Sequence, residues 1–292
     1  MIERIGAIIA PVFAVVLVGF VYARWRAPDM TPVNRINMDL FVPALIFTAL
    51  ASREFSLYEN RWLLAAAALI VLGSGVFAWV MARLFSVQPR TFVPPMMFNN
   101  CGNMGLPLAV FAYGPGALSA AVAMFVVSNA IHFTLGAKIV DRRASILGLL
   151  LLPMNIATAA GVAVGAGRVY LPETLMQALR LMGDAMIPLM LFALGVRMAS
   201  VSLSSWQIGL LGAIVCPVSG IVAAMAIEPL LPLDDTQRGL MYIFAALPPA
   251  VLNFMVAEMY RQEPEKVASI VMIGNLAALV FVPIGLLLGL RG

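Results

Sequence analysis

Charge is what this sequence has least of. Of its 292 residues only 11% are charged, 18 basic and 14 acidic, and 62% are hydrophobic. Soluble domains carry roughly 25% charged residues. A chain so poor in charge has no material for a water-facing surface, which excludes a soluble enzyme or binding module and leaves an all-α integral membrane protein. Histidine occurs once, at His132, and cysteine twice, at Cys101 and Cys216. A single histidine and no CxxC spacing exclude a multi-histidine or cysteine-ligated metal centre, and two cysteines in apolar stretches make no disulfide framework. No metal and no resident cofactor are expected. The net charge of +4 sits in loops, where it orients the chain in the bilayer instead of marking a nucleic-acid partner. A GxxxxGK[ST] nucleotide loop is missing, as are the alternating ten-residue segments of a membrane β-barrel.

What the sequence does have is a series of charge-free runs. At roughly 20 residues per span, they read as ten spans. The first is Ile5–Ala23, long enough to cross and read as a span, not a cleaved leader. The second, around Asn34–Ala51, contains Asp39 and Pro43, and the third is Trp62–Ala82. Thr91–Ala137 carries no formal charge. As one helix it would be about 70 Å long at ~1.5 Å per residue, so it must be two spans, turning at Gly114-Pro115-Gly116. The later spans read as Ala144–Gly167, Thr174–Met198, Val201–Ile227, Gly239–Tyr260 and Val267–Leu290. Loops after odd-numbered spans hold the larger share of the basic residues, among them Arg24, Arg26, Arg83, Arg90, Lys138 and Arg142. That bias predicts odd loops in the cytoplasm and both termini in the periplasm of a bacterial inner membrane.

The chain also repeats itself. Asp39-Leu-Phe-Val-Pro43-Ala-Leu-Ile-Phe47 in span two matches Asp184-Ala-Met-Ile-Pro188-Leu-Met-Leu-Phe192 in span seven. Pro94-Pro95 leading to Asn99 in span four matches Pro248-Pro249 leading to Asn253 in span nine, and Asn129 corresponds to Asn275. The order and the similar offsets predict two five-span halves, residues 1–140 and 141–292. Five spans per half place the halves in opposite orientations, an inverted repeat of the kind that secondary transporters use.

Spans four and nine are the ones expected to break. Pro94, Pro95 and Pro107, with Gly102, Gly105 and the amides of Asn99, Asn100 and Asn103, fall within one short stretch. Internal prolines remove helix hydrogen bonds, and unwound backbone at membrane depth persists only where protein or a watery cavity surrounds it. Pro94, Pro95, Pro107, Pro248 and Pro249 are therefore expected to form a crossover. Asn99, Asn100, Gly102, Asn103, Gly105 and Asn253 are candidate substrate-binding residues, and the asparagines are equally compatible with capping the broken ends. Half-helix N-termini there favour an anion. No buried arginine is evident beside the crossing. The methionines and phenylalanines read as packing and lipid-facing residues. Gly73, Gly75 and the Gly161/Gly165 pair read as sites of close helix approach.

The stretch Phe98-Asn99-Asn100-Cys101-Gly102-Asn103-Met104-Gly105-Leu106-Pro107-Leu108 resembles the crossover motif of the auxin efflux carrier family. Asn34-Arg35 into Phe41-Val-Pro43, Asp184 through Leu194-Gly195, and Ala246-Leu247-Pro248-Pro249 to Tyr260 match in support. The long central hydrophilic loop of the plant carriers is missing, since a short stretch around Lys138–Arg143 joins the halves. That points to a compact bacterial member. The resemblance implies a fold like that of the bile-acid/sodium symporters and sodium/proton antiporters. It further implies a scaffold of spans one, two, six and seven, a moving transport domain of spans three to five and eight to ten, an elevator-type slide, and a homodimer joined through the scaffolds. Its implied cargo is a small organic anion, a mono- or dicarboxylate.

Ser128, Asn129, His132 and Glu258 are coupling-ion candidates, for sodium or a proton. A carboxylate or imidazole inside a membrane is a functional candidate by default. The bland readings are a packed, hydrogen-bonded His132 and a Glu258 reaching the boundary near Arg261. Two other classes stand as alternatives: an intramembrane aspartyl protease using Asp39 and Asp184, and a non-transporting sensor or channel. The protease reading lacks its glycine motif, because Leu181 occupies that position, and its tyrosine, because Met38 does.

Overall fold

The computed structural model describes residues 2–52, 55–142, 151–199 and 204–290. The link between the halves, expected near Lys138–Arg143, and the start of the sixth span at Ala144 lie in part outside them. Among the described residues the chain is helical without a strand, apart from one isolated bridge between Asn99 and Pro249.

Among the described residues, seven helices are long and apolar enough to cross a membrane: α1 (Ile2–Arg26), α2 (Thr31–Leu50), α3 (Arg61–Leu84), α6 (Pro115–Val140), α8 (Glu173–Ala199), α9 (Trp206–Ile227) and α12 (Pro264–Gly289). The others are shorter: α4 (Pro89–Met97), α5 (Leu106–Tyr113), α7 (Pro153–Ala166), α10 (Asp235–Ala245) and α11 (Leu252–Met259). The charge-free run divides as read from sequence. Helix α5 ends at Gly114, whose φ of 83° requires glycine, and Pro115 opens α6.

Proline follows two of the three π-turns among the described residues; the third, at His132–Gly136 in α6, has none. Helix α2 passes through a π-helical turn at Asn37–Phe41 just ahead of Pro43, and a second π-turn at Cys101–Gly105 lies just ahead of Pro107. A widened turn draws the preceding carbonyls away from the pyrrolidine ring that would otherwise strike them. Helix α10 starts on a capping box, with the Gln237 N–H donating to Asp234 Oδ1 (2.8 Å) and the Asp234 N–H to Gln237 Oε1 (3.4 Å).

Helices α1, α2, α7 and α8 pack together, with α1 along α8 and both α7 and α8 on α2. The α1–α8 contact is nearly backbone to backbone. A Cβ added at Gly195 would lie 1.9 Å from the Val16 carbonyl oxygen, and one at Gly19 would lie 2.2 Å from that of Phe192. Gly161 and Gly165 face α2 at Phe47 and Leu50. Helix α9 packs on α12, α3 and α10, and α3 packs on α4. The broken pairs α4/α5 and α10/α11 meet between these groups of helices.

Candidate functional site

The site is built where the two broken pairs cross. Helix α4 ends at Met97, Phe98 is extended (φ −108°, ψ 95°), and the π-turn begins at Cys101. Helix α10 ends at Ala245, and α11 begins at Leu252. The two unwound links run antiparallel and bond each other: the Asn100 N–H donates to the Pro248 carbonyl (2.7 Å), and the Ala250 N–H to that of Phe98 (2.9 Å). The nine residues of α4 span about 13 Å at ~1.5 Å per residue, which separates the crossing from the α3–α4 connection.

Side-chain amides staple the crossing. Asn253 Nδ2 donates to the carbonyls of Phe98 (2.7 Å) and Ala250 (3.0 Å). Asn275 Nδ2 donates to those of Pro249 (3.0 Å) and Val271 (2.7 Å), while its Oδ1 accepts from Asn100 Nδ2 (3.0 Å). Asn99 Nδ2 donates to the Phe244 carbonyl, and its Oδ1 accepts from the Cys101 thiol (2.8 Å). Gly105 lets the arms touch, since a Cβ there would lie 2.9 Å from Leu247 Cδ1. The matched diprolines have different positions. Pro94 and Pro95 lie inside α4, whereas Pro248 and Pro249 form the extended link, and Pro107 opens α5.

A cavity of about 630 Å³ reaches the crossing. Asn99, Asn100, Cys101, Gly102 and Asn103 line its depth together with Ser128, Asn129 and His132 of α6. Its mouth is formed by Met30, Thr31, Asn34 and Arg35 at the start of α2 and by Arg197 near the end of α8. It therefore opens on the face that carries the α1–α2 connection. Gly105, Asn253 and Glu258 do not line it. Glu258 is exposed in the last turn of α11, so the cavity wall that holds Ser128 and Asn129 does not include it.

Several donors of the residues that line this cavity have no protein partner. Among the described residues, the N–H groups of Gly102 and Asn103 in the π-turn, and of Val251 and Leu252 at the start of α11, donate to no protein acceptor. The Asn103 side chain makes no hydrogen bond with the protein either. Asn129 Nδ2 and His132 Nε2 are buried without partners. The His132 ring stacks flat on Phe98, with centroids 4.0 Å apart and planes 3° apart.

Two features add to the reading of the sequence. Arginines that are not buried stand at the mouth of the cavity: Arg35, 3.9 Å from Asp39, and Arg197, whose guanidinium lies 5.0 Å over the Phe254 ring. Hydropathy does not show which way a residue near a helix end faces. Six methionines (Met30, Met38, Met154, Met186, Met190 and Met255) are cavity wall, beyond the packing and lipid-facing roles read from composition. Asn275 was legible only as a repeat partner, yet it bonds both arms of the crossing.

The two aspartates do not assemble a dyad. Asp39 lines the crossing cavity, and Asp184 lines a separate one of about 1390 Å³ on the opposite face, with Arg168, Glu173 and Arg180. No cluster of three or more His, Cys, Asp or Glu able to hold a metal is present among the described residues.

Comparison with known proteins places this geometry in a family. No curated protein matches the chain. The family described as membrane transport protein matches twice, over residues 5–147 and 142–286. The matches meet between α6 and α7 and take in both arms of the crossing. Covered over nearly its whole length, the chain belongs to the auxin efflux carrier family of membrane transport proteins.

Proposed function

We propose that this protein is a secondary transporter of small organic anions and that its substrate binds at the crossing of α4/α5 with α10/α11. The observation that carries the reading is the set of unpaired donors at the ends of two half-helices. Gly102, Asn103, Val251 and Leu252, whose N–H groups are unpaired at the positive ends of their helices, all line one cavity. Unpaired N–H groups at helix N-termini favour an anionic acceptor such as a carboxylate. Two guanidinium groups line the mouth, Arg35 at 3.9 Å from Asp39 and Arg197 close enough to Glu258 to feel its charge, and both can donate to an anion there. Methionine and phenylalanine walls suit the carbon body of such an acid.

Counting each broken pair as one span and α7 as another gives ten, arranged as two inverted five-span halves. On this reading α1, α2, α7 and α8 are the scaffold, which joins a second copy of the chain, and the remaining helices carry the substrate in an elevator-type slide. Odd loops lie in the cytoplasm of a bacterial inner membrane, so the crossing cavity faces inward and the termini lie outside. A coupling ion, sodium or a proton, belongs to the same reading.

The test is counterflow in proteoliposomes with acetate, benzoate, malonate and succinate. At least one acid is expected to exchange, and Asn103→Ala is expected to reduce that exchange about tenfold or more, the loss of a charge-assisted hydrogen bond of roughly 1.5–3 kcal/mol. Exchange of the acid at wild-type rate and affinity in Asn103→Ala moves the site away from the crossing. Exchange of none of the four acids by the wild type removes the anion reading.

A further inference from the structure

Phe98 is the residue of the first arm that the second arm holds. Its carbonyl accepts two donors from across the crossing, the Ala250 N–H (2.9 Å) and Asn253 Nδ2 (2.7 Å). The residue follows the last turn of α4 in an extended conformation, so no helix fixes where that carbonyl points. Its side chain, 1% exposed, is held instead by α6. One face of the ring lies flat on the His132 imidazole, with centroids 4.0 Å apart and planes 3° apart. The edge of the ring lies on Gly136, where an added Cβ would come 2.5 Å from Phe98 Cε2 and 2.9 Å from His132 Cδ2.

His132 and Gly136 are the two ends of the third π-turn, the one without a proline. Widened turns of this kind are frequent at functional sites. Here the Ala137 N–H reaches back five residues to the His132 carbonyl, and Thr134 Oγ1 donates to the Ala130 carbonyl (2.6 Å). The turn carries a notch that fits a ring: Gly136 has no side chain in the way of its edge, and the imidazole covers its face. The polar side of that imidazole is idle. Nε2 has no surface open to water and bonds nothing in the protein, and the whole residue is 2% exposed. A proton carrier must be reached by water or by a hydrogen-bonded neighbour, and this atom meets neither condition.

We propose that His132 is a positioning residue for transport: its ring is a plate that, with the notch at Gly136, sets the Phe98 ring and through it the carbonyl on which the second arm closes. This rests on the transport reading above, and it takes His132 out of proton coupling. The imidazole acts by its flat shape, and its charge state plays no part. Because the Phe98 carbonyl bonds the second arm, α6 reaches both unwound links through one ring pair.

The test is exchange of a transported acid by full-length protein in proteoliposomes, with variants at Phe98, His132 and Gly136. Removing the ring in His132→Leu should slow exchange roughly three- to tenfold, the range of an aromatic pair, and His132→Phe should recover most of that loss. Phe98→Leu should slow exchange by a similar factor. The double variant Phe98→Leu/His132→Leu should be no slower than either single one, as expected of two residues that act as a unit. Gly136→Ala drives a methyl group into the Phe98 ring, so Phe98→Leu in the same chain should restore part of its loss. That arm reads the notch even where His132→Leu fails to assemble. The pH profile of exchange from about pH 5 to pH 8, the range in which a free imidazole titrates, should keep its shape in His132→Phe. Exchange in His132→Phe as slow as in His132→Leu overturns the plate and leaves the transport reading standing. A profile that flattens in His132→Phe also overturns it, by giving the imidazole a proton to carry. So do losses that simply add in both double variants. Exchange of no acid by the wild type removes the parent reading, and this one with it.

Discussion

Replacing Asn275 with alanine should loosen the crossing without touching the cavity. The residue is 1% exposed and makes three hydrogen bonds, two as donor to Pro249 and Val271 and one as acceptor from Asn100. The Val271 carbonyl lies within α12, where the helix supplies its own donor. The other two partners belong to unwound links, where no helix bond replaces the loss. Stranding a buried polar group costs roughly 1–3 kcal/mol in protein interiors, whereas side-chain hydrogen bonds in membrane proteins average about 0.6 kcal/mol. Asn100 borders the cavity, where water can reach it, while Pro249 does not. Weighing the two gives a destabilisation of about 1–3 kcal/mol, or a drop of roughly 3–10 °C in the apparent unfolding midpoint for a chain of this size. The assay is thermal unfolding of the detergent-solubilised protein, read by tryptophan emission. Asn275→Asp keeps the acceptor for Asn100 and loses the donor to Pro249, but it adds a buried charge, so it should be at least as destabilised. An Asn275→Ala midpoint within about 1 °C of wild type would show that the crossing holds without this staple.

Other variants probe separate parts of the structure. Gly195→Ala puts a methyl group against the Val16 carbonyl of α1 and Gly195→Leu a larger one; overpacking of this kind typically costs about 1–3 kcal/mol and more against backbone. Size-exclusion of the solubilised protein should show Gly195→Leu aggregated, and a monodisperse peak at wild-type yield would refute the close α1–α8 contact. Arg197→Gln should raise the KM for a transported acid about tenfold with little change in kcat, as loss of one charge-assisted contact implies; an unchanged KM removes Arg197 from anion recognition. On the loop before α12, burial pushes the Glu263 carboxyl up, but hydrogen bonds from Lys266 and Thr91 and the Lys266 charge outweigh it and hold it below the usual carboxylate range. The stability it contributes is therefore present at neutral pH and lost as pH falls through and below that range. The midpoint difference between wild type and Glu263→Gln should shrink from about pH 6 to about pH 3, and a difference that grows with acidity refutes the sign.

The features legible in the sequence are those with local causes. Gly114 turns the chain because only glycine accepts its φ, and the breaks fall where proline, glycine and asparagine crowd together. The charge-free run Thr91–Ala137 had to divide on length alone. What escaped is tertiary. In helices apolar all round, periodicity does not say which face meets a cavity, so it does not mark Arg197 or the six methionines as cavity lining. The glycine pattern pointed to Gly161 and Gly165, yet the tightest helix contact is at Gly19 and Gly195, which no short motif marks. The matched diprolines show a further limit: Pro94-Pro95 sits within a helix and Pro248-Pro249 in a link, so likeness of sequence between the halves is not identity of local structure. Asn275 matched Asn129 by position, but one is a satisfied staple and the other an unpartnered donor.

Substrate protection of a cysteine in the cavity wall tests the central claim most directly. Met190 lines the crossing cavity, and Met190→Cys can be placed in a chain whose two native cysteines are changed to serine. In proteoliposomes of known orientation, an impermeant thiol reagent should reach this cysteine from the cytoplasmic face. A saturating concentration of a transported acid should slow the labelling severalfold, whereas its amide should not. Labelling that proceeds at the same rate with the acid present contradicts a substrate site at the crossing.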